Sequence, residues 1–191
     1  MSGVLFRVDV GPGVGLGHIH RNLGLAEALR QLKIDGMFVL SQEDSAAARV
    51  TRKGFQVEAL PRELPGQMED CSRVIMTAKQ RGCTVAVVDS YVVDTDYIDR
   101  LRSSGLHTIL IDDEIRRDSS ADLLINTSLG DDARTIQSEM QAAKYFFGAE
   151  YVLLRSEFWN CPRRTINETV DQVLLTVGGD DWHKMTEKLM V

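Results

Sequence analysis

Residues 4–29 read VLFRVDVGPGVGLGHIHRNLGLAEAL. An apolar, strand-like segment leads through a glycine-rich loop into an amphipathic helix, with His18 at the start of that helix. A helix N-terminus carries unpaired N–H groups and a partial positive charge, and glycines let a ligand approach the backbone closely. We therefore expect a site for a phosphate or another anion at this junction, with His18 and His20 facing open space there.

The glycine spacing departs from the common nucleotide-binding motifs. Glycines at positions 11, 13, 15 and 17 do not satisfy G-x-G-x-x-G, and no Gly-Lys-Ser/Thr follows them. What remains is G-x-G-H-x-x-R, in which Gly15, Gly17 and Arg21 accompany His18. A tight strand-to-helix turn with a capping histidine accounts for the same pattern without a ligand, so the residues alone leave both interpretations open.

Strand-like and helix-like segments alternate along the chain, which predicts an α/β fold: a Rossmann-like, mostly parallel sheet with helices on both faces. Short runs rich in Val, Leu and Ile predict strands near 4–10, 37–41, 55–59, 84–89, 106–111 and 122–125. Helices are predicted near 44–53, 67–81, 94–103 and 131–142, besides the first one. In that first helix a buried stripe is expected to comprise Ile19, Leu23, Ala26, Leu29 and Leu32.

Composition excludes several classes of function. The 191 residues carry a net charge of −6, which argues against a binder of nucleic acid, because such proteins use basic patches. The sequence contains neither a signal-peptide pattern nor an apolar run of membrane-spanning length, so we expect a cytoplasmic protein without membrane contact. Cys71, Cys83 and Cys161 form no C-x-x-C pair, and we expect buried free thiols.

Two charged residues lie in or beside the first predicted strand. Arg7 and Asp9 alternate with the apolar residues Phe6, Val8 and Val10, although such strands are usually buried on both faces. One interpretation is an ion pair that fixes the end of the strand. The other is that Asp9 orients a ligand or a catalytic histidine.

Polar residues also end later strands. Asp89 and Tyr91 follow a buried strand and are expected to reach the same crevice as His18, because ligands bind beyond the carboxyl ends of parallel strands. A helix-capping Asp and a half-buried Tyr are the alternative. Asn126 is a further polar group at a strand end. The acids at 112–114 suggest a metal, but neighbouring acids on an extended chain point in different directions, so we predict no metal site.

The end of the chain suggests a second domain. We place a first domain at residues 1–160 and a linker at 161–170, where the sequence becomes polar and contains proline. From 171 to 191 the opening pattern returns: a strand over 170–177, a turn at Gly178, Gly179 and Asp180, and the first turns of a helix. This predicts the first strand-loop-helix unit of a truncated C-terminal nucleotide-binding domain, too small to form its own core.

Seven sequence pieces in this order resemble a known family: Arg7-Val-Asp9, Gly15-Leu-Gly-His18-Ile-His-Arg21, Leu25-Ala-Glu-Ala-Leu29, Asp89-Ser-Tyr91, Ile111-Asp-Asp113, Ala121-Asp-Leu-Leu-Ile-Asn126 and Thr176-Val-Gly-Gly-Asp180. The family is the UDP-2,4-diacetamido-2,4,6-trideoxy-β-L-altropyranose hydrolases of pseudaminic acid biosynthesis, together with related spore-coat polysaccharide proteins. The resemblance implies that this chain is the N-terminal half of a GT-B architecture, with two Rossmann-like domains across a cleft. It also implies hydrolysis that needs no metal and no cofactor.

The resemblance assigns roles to individual residues. The catalytic histidine of the family corresponds to His18, and the tyrosine near the sugar corresponds to Tyr91. The loop at Gly178, Gly179 and Asp180 would belong to the nucleotide-binding side, and the C-terminal domain would supply the remaining UDP contacts. Gly15, Gly17, Arg21, Asp89 and Asn126 complete the expected substrate-binding set.

The expected reaction is the hydrolysis of a UDP-linked amino-deoxy sugar. Neutral His18 would take a proton from water that attacks the anomeric carbon, with Asp9 or another carboxylate holding the imidazole in the required tautomer. Two alternatives remain open. One is a glycosyltransferase of the same architecture, with a sugar hydroxyl as acceptor, and the other is a non-catalytic module that binds nucleotide sugars.

Overall fold

A computed structural model describes residues 3–11, 14, 16–41, 44–61, 65–113, 120–127, 144–166, 168–176 and 184–190. These residues contain one seven-stranded parallel sheet in the order β3-β2-β1-β4-β5-β6-β7. Its strands are β1 (Gly3–Val8), β2 (Gly36–Ser41), β3 (Gln56–Leu60), β4 (Cys83–Asp89), β5 (His107–Ile111), β6 (Leu123–Asn126) and β7 (Tyr145–Phe147). The predicted Rossmann-like α/β fold is confirmed.

The described helices are α1 (Gly17–Gln31), α2 (Asp44–Arg52), α3 (Met68–Arg81), α4 (Thr95–Ser103) and α5 (Met185–Leu189). Two 3-10 turns, Ala149–Tyr151 and Ser156–Phe158, follow β7. Six strands and four helices therefore lie within a few residues of their predicted positions. The predicted helix at 131–142 lies outside the described residues. Strand β7 was not predicted, because three residues are too few to show a periodicity.

Helices cover both faces of the sheet, as predicted. Apolar residues of α1 and α2 share one core cluster with Phe6, Val8 and Phe38. Apolar residues of α3 and α4 share the other cluster with Leu5 and Val39. Because successive strand residues point to opposite faces, each central strand contributes to both clusters.

The buried stripe of α1 is shorter than expected. Ile19, Leu23 and Ala26 are buried, but Leu32 is 71% exposed because α1 ends at Gln31, so residue 32 no longer follows the helical period. Asn22 is also fully buried on this helix, among the apolar residues.

Arg7 is completely buried, and its partners are carboxylates. Its NH1 group donates to Asp9 (2.8 Å), while Nε and NH2 donate to Asp70 of α3 (3.0 and 2.6 Å). The Tyr97 hydroxyl adds a 2.8 Å hydrogen bond to Asp70. Burial alone would lower the pKa of Arg7, but the hydrogen bond and charge of Asp70 outweigh burial and raise it. The ion-pair interpretation of Arg7 and Asp9 is confirmed, with Asp70 as an additional partner that sequence analysis missed.

Asp9 also fixes the loop that follows β4. One of its oxygens accepts hydrogen bonds from the Ser90 hydroxyl (2.6 Å) and from the backbone N–H of Tyr91 (3.1 Å). The buried ion pair therefore ties the end of β1 to the residues that carry Tyr91.

Only one of the three cysteines is buried. Cys71 packs in the core, and this burial raises the pKa of its thiol to about 11. Cys83 is partly exposed and Cys161 is exposed, so the expectation of three buried thiols is wrong for these two. Cys161 belongs to the stretch 161–166, whose residues are all exposed and pack against no core.

The predicted strand at 170–177 is wrong for the residues described. Residues 170–176 have no regular secondary structure, and Val170, Val173 and Leu174 are more than four-fifths exposed. A strand is stable only when a neighbouring strand satisfies its backbone groups, and no described strand pairs with this segment. The domain division itself stays a prediction. None of the described helices has both the length and the apolar character needed to span a membrane.

The segment around Leu154 lies against α1 and limits one helix position to glycine. A Cβ atom at Gly24 would come within 3.0 Å of the Leu154 backbone, whereas a Cβ at Gly17 would meet nothing within 4 Å. Nearby, the Ser156 hydroxyl donates to Glu27 at 2.8 Å. The absence of a side chain at Gly24 therefore lets this segment pack on the helix.

We predict that Gly24→Ala lowers the free energy of unfolding by about 1–3 kcal/mol relative to Gly17→Ala, the matched control, because only the first creates an overlap. Urea denaturation of both variants measures this difference. Equal stability of the two variants would contradict the packing described.

Candidate functional site

The candidate site lies at the carboxyl ends of β1 and β4, where the strand order reverses direction. The chain leaves β1 toward β2 on one side of the sheet, while β4 lies on the other side of β1. In open α/β sheets this switch point forms the crevice in which ligands bind. Helix α1 begins here at Gly17, and no side chain hydrogen-bonds to its N-terminal end among the described residues.

Asp89 lies at the centre of this site. Its side chain is fully buried at the end of β4, and one oxygen contacts His18 Nδ1 and Arg21 NH2, both at 2.5 Å. The other oxygen accepts hydrogen bonds from Arg21 Nε (2.6 Å) and Asn22 Nδ2 (2.5 Å). Three residues from the first turns of α1 therefore converge on one carboxylate.

These contacts keep Asp89 ionised. Burial alone would raise its pKa, but the hydrogen bonds from Arg21 and His18 and the positive charge of Arg21 lower it below the usual value of 3.8. An ionised carboxylate accepts hydrogen bonds only, so the proton of neutral His18 is assigned to Nδ1. Nε2 then carries the free lone pair, and no hydrogen-bond partner contacts it among the described residues.

Arg21 connects the site to the next strand. Its NH1 group donates to Asp113, just after β5, at 2.6 Å. Its side chain is only 18% exposed. Asp113 is itself paired in this way, and the described residues contain no group of three or more His, Cys, Asp or Glu side chains suited to a metal.

His18 is more enclosed than expected. The residue is 4% exposed, and the ring of Tyr91 packs edge-on against it with centroids 4.6 Å apart at an angle of 86°. The expectation that His18 faces open space is therefore wrong. The ring turns inward because Asp89 contacts its Nδ1. Tyr91 is 44% exposed and forms the outer cover of the imidazole.

The structure separates other residues that the sequence analysis grouped. His20 does not accompany His18: two positions along a helix turn the side chain by about 200°, and His20 lies in a separate cavity with Arg49 and Arg155. Asp9 contacts Arg7, Ser90 and Tyr91 rather than the imidazole, so Asp89 is the carboxylate that orients His18.

Asn126 is fully buried at the end of β6, on the same edge of the sheet, and no contact joins it to His18. Gly17 is exposed, with free space where a side chain would be. Gly15, Gly178, Gly179 and Asp180 lie outside the described residues.

Two members of the site were missed by the sequence analysis. Asn22 was not considered. Its polar amide lies at a buried position of α1, one turn after His18, and this pattern in the sequence could have indicated a contact with the site. Asp113 was noted in an acidic run and in the piece Ile111-Asp-Asp113, but no contact with Arg21 was expected for it. Its pairing with Arg21 joins residues 92 positions apart, and no local pattern predicts such a contact.

Comparison with known proteins supports the fold. No protein-family model matches this chain. An uncharacterised protein of Methanocaldococcus jannaschii is 23% identical over 185 residues, which cover 93% of this chain and 37% of that protein. The chain thus spans well under half the length of this relative.

Two solved structures are similar. Acinetobacter baumannii MurG matches with a TM-score of 0.51 and 12% identity, over 68% of this chain and 42% of that chain. Anabaena HepE, in complex with UDP and glucose, matches with a TM-score of 0.54 and 13% identity, over 77% of this chain and 44% of that chain. Both are GT-B glycosyltransferases, and at these identities the likeness is one of fold.

We predict that Asp89→Asn lowers the free energy of unfolding by about 1–3 kcal/mol at pH 7, because it leaves the partly buried Arg21 with only the partly exposed Asp113 as counter-charge. The pKa of Asp89 is lowered by folding, so its stabilising effect is complete above the usual value of 3.8 and declines as the pH falls through the folded value. The stability difference between wild type and variant should therefore shrink below pH 3.8.

Thermal denaturation at several pH values, with the exposed Asp99→Asn as control, measures this. A difference that does not change with pH, or one equal to that of the control, would contradict the role of Asp89.

Proposed function

We propose that this chain is the N-terminal half of an enzyme that acts on a nucleotide-linked sugar, with His18 as the general base. The observation that carries the proposal is the hydrogen bond between Asp89 and His18 Nδ1, at the switch point of the sheet. An imidazole whose Nδ1–H is held by a carboxylate presents Nε2 as a proton acceptor, which is the arrangement that general-base catalysis requires.

The beginning of α1 is suited to the leaving group. Its first N–H groups have no side-chain cap, its first turn contains no acidic residue, and Gly17 leaves the backbone accessible. A helix N-terminus of this kind attracts phosphate, and here it lies directly beside His18. We infer that the diphosphate binds at this N-terminus, while the sugar carbon lies near the imidazole.

Access to His18 requires movement of Tyr91. The ring of Tyr91 covers the imidazole edge-on, but its own outer surface is exposed, and its backbone is held by Asp9. We propose that the Tyr91 side chain rotates outward when substrate enters and then packs against the sugar. The Asp9 contact keeps the loop in place during this rotation.

The comparisons favour UDP as the nucleotide. HepE was solved with UDP and glucose, the two parts of a UDP-sugar. The resemblance of the sequence motifs to UDP-sugar hydrolases of pseudaminic acid biosynthesis points to the same class of substrate. We therefore propose a UDP-linked amino-deoxy sugar, used in nonulosonic acid or surface polysaccharide biosynthesis.

In the proposed reaction, His18 Nε2 takes one proton from water as the oxygen bonds to the anomeric carbon. The bond from that carbon to the diphosphate oxygen breaks, and UDP leaves with the electron pair. The products are UDP and the free sugar. The similarity to glycosyltransferases supports a second candidate, in which a sugar hydroxyl replaces water in the same step.

We predict that His18→Asn reduces the release of UDP from a UDP-sugar by about 10²–10⁴-fold, because a positioned general base contributes that much to a rate. The measurement is a coupled assay for UDP on the complete protein, with UDP-N-acetylglucosamine and UDP-linked amino-deoxy sugars as substrates. The matched control is His107→Asn, which changes an exposed histidine of β5.

Near-normal turnover of His18→Asn would refute the assignment. UDP release that requires an added sugar acceptor would favour the transferase. Saturable binding of UDP-sugar by the wild type without any product would favour a non-catalytic binding module.

A further inference from the structure

A cavity lies on the opposite side of α1 from His18. It has a volume of about 310 Å³ and lies between α1, the end of α2 and the segment at 155–157. The buried side chain of Leu23 forms an apolar part of its wall, and His20 lies at its edge. This volume falls in the range of small-molecule sites.

The cavity is lined mainly by cationic side chains. Four basic residues and two acidic residues surround it: Arg49, Arg52, Lys53, Arg155, Glu27 and Glu157. Lys53 pairs with both acids, at 2.8 Å to Glu27 and 3.4 Å to Glu157. Both carboxylates are therefore already engaged. The guanidinium groups of three arginines remain, of which Arg52 uses its Nε to donate to the backbone oxygen of Ala48 at 3.1 Å.

These three arginines have no ion-pair partner among the described residues. The Nε atom of Arg49 is buried and has no hydrogen-bond partner among the described residues. A buried cationic N–H without an acceptor is costly, and in native proteins such a group usually has a hydrogen-bond acceptor from the protein, an ordered water or an ion. Arg155 lies 4.9 Å over the ring of Phe158, which leaves its N–H groups available at the edge.

The field in the cavity is positive. Burial lowers the pKa of His20, and the charges of Arg155 and Arg49 lower it further. Both arginines therefore act on the same small volume, although they lie more than a hundred positions apart in sequence. A neutral His20 can hydrogen-bond a hydroxyl group beside an anion.

We propose that this cavity binds the phosphate group of a small phosphorylated molecule. Guanidinium groups match phosphate oxygens in paired hydrogen bonds, and a phosphate monoester carries about two negative charges, equal to the excess of cations over carboxylates. The site is separate from His18, and it does not depend on the proposed function.

We predict that calorimetric titration of wild type detects saturable binding of inorganic phosphate and glucose 1-phosphate. Arg49→Gln and Arg155→Gln should each weaken this binding roughly 10- to 100-fold, because each removes charge-assisted hydrogen bonds. Arg49→Lys keeps the charge but not the paired geometry, so its affinity should lie between those of wild type and Arg49→Gln. Melting temperatures show that the variants are folded.

Two matched controls sharpen the test. Arg73→Gln removes the same charge from α3 and Arg102→Gln removes it from α4, both on the other face of the sheet; neither should change phosphate binding. Tighter binding of glucose 1-phosphate than of phosphate would identify an ester as the ligand, and equal binding would identify the free anion.

Any one of three results would overturn the proposal. These are no saturable binding to wild type, the same loss in Arg73→Gln as in Arg49→Gln, or loss of binding in His18→Asn but not in Arg49→Gln.

Discussion

A buried carboxylate requires several donors, and the end of β4 is organised around this requirement. Asp89 has no exposed surface, and its oxygens accept from three residues of α1. Without them, an ionised carboxylate in this position would be far too costly to bury. The need to satisfy Asp89 therefore fixes the rotation of α1 about its axis, and with it the direction of His18 and Arg21.

A second buried charge network supports the same edge of the sheet from the opposite face. Arg7 binds Asp9 and Asp70, and Asp9 in turn holds the loop that carries Tyr91. The two networks are linked through the consecutive residues Asp89, Ser90 and Tyr91. In both networks a buried carboxylate accepts several hydrogen bonds from charged or polar donors, and such contacts hold side chains in the geometry that chemistry requires. The imidazole and the tyrosine that covers it are both placed in this way.

Helix α1 presents side chains to two different sites from opposite faces. One face carries His18 and Asn22 toward the sheet edge, and the other carries His20 and Glu27 toward the arginine-lined cavity. The packing of Leu154 against Gly24 brings Arg155 to that cavity. Two histidines that lie two positions apart thus contribute to separate sites, one proposed to act on a UDP-sugar and the other to bind a phosphate.

The sequence by itself determined the class of fold and most of its elements, because hydrophobic periodicity and glycine-rich turns are local signals of parallel α/β units. It also located the junction before α1 and the polar strand ends. The tertiary structure alone decided which carboxylate orients His18, how deeply that ring is buried, and that His20 faces another cavity. It likewise decided that Asp70 neutralises Arg7 and that Asp113 pairs with Arg21. These contacts join residues 63 and 92 positions apart, and such pairings depend on strand order and helix rotation, which no local pattern records.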